Sequence, residues 1–140
     1  MIDRDRPSSL TALAILAALV GLILLVVSTL GVIALIGLGA GMGAPNGIVG
    51  PTQVWALISF SILSVGSVLY LVFAVGTFAS SPTAWWAGIL GAIASLISTV
   101  VVVAIGGGGE VASLVVSVGF AVAMLVGLLR AAPIRAYFGR

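Results

Sequence analysis

Between Pro7 and Arg130 the chain carries a single charged side chain, Glu110. A carboxylate there could bind a cation or a partner. It would also suit a purely structural part, because a negative charge in the first turn of a helix favours the positive end of the helix dipole. Four glycines, Gly106 to Gly109, precede it, yet no Lys-Ser/Thr follows, so the run lacks the cation of a phosphate-cradling loop. The remaining groups able to make directed contacts are hydroxyls. Ser59, Ser61, Ser64, Ser67 and Thr77 fall in one helical stretch but spread over more than one face, so they do not line a single polar track. Each can bond back to a carbonyl one turn earlier. The chain has no Cys and no His, and all five of its basic residues are Arg. Disulfides, thiolate chemistry and Cys-ligated metals are thereby excluded. So are the commonest general base and Schiff-base chemistry. No catalytic, cofactor-binding or metal-ligating residue is expected, and no cofactor. The arginines of the tail do not form the basic stripe that nucleic acid requires.

What must position these few groups is set by composition. In soluble proteins about a quarter of residues are charged; here 6% are charged, 62% are hydrophobic, and the mean hydropathy is +1.43. The expected solvent is lipid. A spanning helix needs roughly 20 apolar residues, and four stretches of this 140-residue chain qualify, at 10–37, 54–78, 84–105 and 111–129, followed by a tail at 130–140. The first is longer than a bilayer requires, so it is expected to tilt, or to fray near Gly31 or Gly37. Its apolar run is roughly twice that of a signal peptide, which reads as an anchor. Pro7, Pro51 and Pro82 sit at or just before predicted helix starts, with Ser8, Thr52, Ser81 and Thr83 beside them as candidate N-caps. The fold class is therefore all-α, an integral membrane four-helix up-and-down bundle forming one domain. Arg4 and Arg6 precede the first helix and Arg130, Arg135 and Arg140 follow the last, while the first and third linkers carry no basic residue. Positive-inside logic then puts both termini in the cytoplasm, N-in and C-in, which an even number of spans satisfies. Trp85 and Trp86 belong at the cytoplasmic interface and Trp55 at the outer one.

Two rows of small residues recur at four-residue spacing. The third helix has Ala87, Gly91, Ser95 and Thr99; the fourth has Gly119, Ala123, Gly127 and Ala131. Such rows let helix backbones approach closely. They serve either packing within the bundle or docking of a partner, a second copy or another membrane protein. Arg130, Arg135, Tyr137 and Arg140 alternate basic with aromatic groups and suit the lipid headgroup layer, the arginines at phosphates and Tyr137 and Phe138 dipping inward. With no intramembrane charge of the kind pumps keep, the leading expectation is a multi-pass protein of the cytoplasmic membrane, non-enzymatic, acting as an accessory or scaffold subunit. Its expected partners are membrane lipids and either copies of itself or another membrane protein. The alternative is a transporter or channel component for a small neutral or lipophilic solute, with the hydroxyls of the second helix as its path.

The opening Arg6-Pro7-Ser8-Ser9-Leu10-Thr11-Ala12-Leu13-Ala14-Ile15-Leu16 and the closing Pro133-Ile134-Arg135-Ala136-Tyr137-Phe138 resemble the ends of small four-span membrane proteins of archaea and bacteria, a group of uncharacterised function. The resemblance implies a cytoplasmic-membrane protein and supplies no catalytic residue.

Overall fold

A computed structural model describes residues 7–41, 50–105 and 111–139. The chain is all-helical, with no strand among the described residues. Four long helices, α1 (Ser8–Gly41), α2 (Pro51–Phe78), α3 (Thr83–Ala104) and α4 (Val111–Arg130), are followed by a short one, α5 (Ala132–Tyr137). The first three are long and apolar enough to cross a membrane; α4 is a shorter apolar helix.

Several ends differ from the sequence reading, each for a local reason. α1 begins at Ser8 and runs unbroken through Gly31 and Gly37 to Gly41, so it does not fray where its glycines suggested. Gly31 is instead a slot: a Cβ there would come within 2.7 Å of the Phe60 ring. Ser8, Thr52 and Thr83 lie inside their helices and not before them; the N-cap of α3 is Pro82, and the Ser81 hydroxyl meets that of Thr83 at 2.7 Å. At α2, Pro51 occupies the first helical position, where its missing N–H costs nothing. The cap therefore moves back to Gly50, whose N–H donates to Gln53 Oε1 at 3.1 Å. α2 ends in a Schellman turn, with Ser81 N–H donating to Gly76 O at 2.8 Å and Ser80 N–H to Thr77 O at 3.3 Å. Ser80 takes the left-handed position (φ 55°) that glycine usually fills. The expected tail holds a helix: α5 follows directly on α4 and buries Ile134 and Phe138 in the main core.

Consecutive helices pack antiparallel. Gly76 lies against Ala84, Gly66 against Gly91, and Ser59 against Ser98, which runs α2 and α3 in opposite directions. Gly21 meets Tyr70 and Ser28 meets Ser64 across α1 and α2; Gly88 meets Leu128 and Ser95 meets Ser117 across α3 and α4. α2 packs on both α1 and α3, and α4 on α3, whereas α1 and α4 touch glancingly, as where Gly127 approaches Leu13. Small residues predominate among the buried ones, alanines such as Ala14, Ala17, Ala84 and Ala92 together with glycines and hydroxyl residues, and Tyr70, Phe73, Met124 and Leu128 fill between them. The large aliphatics point out: Leu19, Ile23, Leu30 and Ile33 on α1, Val68 and Val75 on α2, Val100 on α3 and Val116 on α4 are all exposed. Small inside and large outside is the distribution expected where close van der Waals packing, not escape from water, holds helices together.

Candidate functional site

The antiparallel register sets the serines of four helices opposite one another, spread over about 10 Å around the middle of α2 from the 1.5 Å rise per residue. Ser28 of α1 meets Ser64 of α2, Ser59 of α2 meets Ser98 of α3, and Ser95 of α3 meets Ser117 of α4. Each seam between neighbouring helices thus carries one hydroxyl pair. The α2–α3 pair is a reciprocal clamp: Ser59 Oγ donates to Ser98 O at 3.1 Å and Ser98 Oγ to Ser59 O at 3.0 Å. Both protons are then used on carbonyls, so the 3.0 Å approach of the two oxygens is a contact and not a third bond. At the α1–α2 seam Ser28 Oγ donates to Leu25 O at 3.1 Å, while Ser64 Oγ shares its one proton between Ser28 Oγ and Phe60 O, both at 2.9 Å. Ser67 Oγ donates to Ser64 O and Ser61 Oγ to Leu57 O. Of the α2 hydroxyls, Ser59 and Ser67 are buried while Ser61 lies exposed on the outer side, which agrees with their spread over several faces. In an apolar surround such interhelical bonds contribute about 0.6 kcal/mol each, rising to 1–2 in favourable cases.

The α3–α4 seam is different. Ser95 and Ser117 approach only to 3.4 Å, long for an O–H···O bond. Beside them, Tyr70 is fully buried, its ring edge-on to Phe120 at 5.3 Å. The Tyr70 hydroxyl neighbours Ser95 yet finds no hydrogen bond of acceptable geometry. The belt and this hydroxyl escaped the sequence reading. Ser28, Ser98 and Ser117 became meaningful only once the register set them opposite other serines, and Tyr70 was a lone polar aromatic in an apolar helix. Chemically the belt is a set of hydrogen bonds that join the helices, and the hydroxyl it leaves over is that of Tyr70.

The two small-residue rows separate. Ala87, Gly91 and Ser95 are buried and Thr99 is half-buried. Gly91 is pressed on Tyr70 and Gly66 O, where an added Cβ would lie 3.1 and 3.2 Å away. The α4 row faces outward over its first half: Gly119 has nothing within 4 Å of such a Cβ and Ala123 is exposed, whereas Gly127 approaches Leu13 at 3.5 Å and Ala131 packs against the core. Val115, Val116, Val122 and Val126 flank that row and are exposed too. The same spacing is therefore internal packing on α3 and an open face on α4.

Of the residues assigned to the headgroup layer, Arg130 and Arg135 are exposed, and Arg140 lies outside the described residues. Tyr137 and Phe138 turn into the bundle instead of dipping into lipid. The Tyr137 hydroxyl donates to Thr77 O at 3.1 Å and meets Ser80 Oγ at 2.7 Å, so α5 is strapped to the α2–α3 turn. Phe138 is buried because α5 holds it beneath the core. Trp85 Nε1 donates to Leu128 O at 3.2 Å, pinning α3 to the end of α4. Since Ala84 lies against Gly76, Trp85 and Trp86 sit about 30 Å along the axis from Trp55, from the 1.5 Å rise per residue. Glu110 and the Gly106–Gly109 run lie outside the described residues. Comparison with known protein families, with curated proteins and with solved structures finds no match.

Proposed function

We propose that this chain is a four-span protein of the cytoplasmic membrane, both termini inside, and that it acts as a non-enzymatic accessory or scaffold subunit through the outer face of α4. The observation that carries the reading is the outward pair Gly119 and Ala123, a flat strip between exposed valines on a helix whose one long packing partner is α3. An apolar helix face with a small-residue groove suits another helix better than it suits mobile acyl chains. The 20 residues of α4 reach about 30 Å, enough for a fourth crossing, and the arginines of both ends favour the same side for both. The aromatic residues spaced about 30 Å apart agree with two interfaces. This is the kind of protein that the two chain ends resemble. The solute-path reading draws less support, because the hydroxyls of α2 give their protons to carbonyls and Ser61 lies on the exterior.

The test is native mass measurement from mild detergent or lipid nanodiscs, on the unaltered chain and on Gly119→Leu. The expected result is a homo-oligomer or a stoichiometric membrane-protein partner in the first, and at least about tenfold less associated species in the second. Thermal stability of the bundle should not fall, because an added Cβ meets nothing within 4 Å and leucine is the better helix former. A strictly monomeric, partner-free chain, or association indifferent to Gly119→Leu, would refute the proposal.

A further inference from the structure

We propose that Tyr70, Ser95 and Ser117 hold one water molecule at the centre of the bundle, a hydration site at the depth where lipid offers no hydrogen bonds. The Tyr70 hydroxyl is wholly buried, and although Ser95 lies beside it no well-formed hydrogen bond joins the two. Leaving such a group unpaired is costly, and buried hydroxyls in folded chains are almost always satisfied. The ring cannot swing away to find a partner. Its Cβ is set against Gly21, its Cδ1 against Gly91, and Phe120 stands edge-on to its plane.

The other buried hydroxyls of the belt donate to carbonyls or to each other at 2.7–3.1 Å. At this seam the one direct contact between serines is 3.4 Å. Ser95 of α3 thus stands between Tyr70 of α2 and Ser117 of α4, close to both and well bonded to neither. A bound water needs two to four polar partners, and a single oxygen can accept from Tyr70 while donating to Ser95 and Ser117. None of the three is charged at neutral pH, so nothing here favours an ion. The second unpartnered hydroxyl, Thr77 Oγ1, does not make an equivalent site. A threonine in a helix can rotate to the carbonyl one turn earlier, whereas a tyrosine hydroxyl lies too far from its own backbone to do so. The site is independent of the α4 face and stands whether or not the chain associates.

X-ray radiolytic labelling of the full chain in lipid nanodiscs, in heavy-oxygen water with peptide mass spectrometry, tests this. Phe73 is the internal control: it lies on the same helix, is equally buried, and its ring carries no hydroxyl of its own. The expected result is oxidation of Tyr70 about tenfold faster than Phe73, with the label drawn from water. Ser95→Ala keeps the tyrosine as reporter and should bring its rate down to that of Phe73. Ser117→Ala, on the looser seam, should do the same and serves if the first variant does not fold. Equal rates at Tyr70 and Phe73 in the unaltered chain, or a Tyr70 rate that neither folded variant lowers, overturns the proposal.

Discussion

Ser80 shows how much a single residue settles in this chain. It holds the left-handed position of the turn that ends α2, and its hydroxyl meets Tyr137 at 2.7 Å, which ties the C-terminal helix to that turn. A side chain in that backbone region costs roughly 1–2 kcal/mol that glycine avoids. Ser80→Gly loses the hydroxyl contact but sheds the strain; Ser80→Ala loses the contact and keeps the strain. The expected order in a denaturing-detergent titration is therefore Gly above Ala by about 1 kcal/mol. Equal stability of the two variants would mean that the turn does not keep its left-handed residue. The αL geometry was not legible in advance, since the Ser80-Ser81-Pro82 run announces a turn without saying which residue takes the positive φ. The hydroxyls of α2 were legible as a set, including their back-bonding to carbonyls. Their pairing with Ser28 and Ser98 was not, because it depends on which turn of one helix faces which turn of the next.

Among the elements, α3 and α4 carry the same four-residue spacing of small side chains and use it in opposite ways. α3 lies between α2 and α4, so its row is pressed on Gly66 and Tyr70. α4 stands at the end of the sequence of packed helices and turns Gly119 and Ala123 outward. Nothing in the spacing distinguishes them; a long helix on each side of α3, and on one side only of α4, does. The contrast is measurable. Gly91→Leu should destabilise the bundle by about 3 kcal/mol, because the Gly66 carbonyl 3.2 Å from an added Cβ is backbone and cannot step aside. Unfolding of Gly91→Leu at the denaturant concentration of the unaltered chain would contradict the register. The helix number and approximate ends followed from runs of apolar residues. α5 did not, since its six residues, with Pro133 in the first turn, are too short for periodicity to declare. Burial of Ile134 and Phe138, together with the Tyr137 strap, is what gives α5 a place against the bundle.

At the scale of the molecule, large side chains are turned outward and small ones and hydroxyls inward. In water that arrangement would leave large contiguous apolar surfaces uncovered, which soluble monomers rarely tolerate; in lipid it costs nothing. Class and helical architecture were legible because composition alone excludes water as the surrounding solvent. The open face of α4 was legible only as one of two equivalent rows. The absence of cysteine from the chain makes its threading accessible to single-cysteine chemistry without background. Gly108→Cys and Ala136→Cys, expressed separately in intact cells and treated with a membrane-impermeant maleimide, report the third linker and the exposed side of α5. Four crossings with both ends inside predict labelling at position 108 from outside and protection at position 136 until the cells are opened. Labelling of Ala136→Cys in intact cells, or protection of Gly108→Cys, would contradict the arrangement.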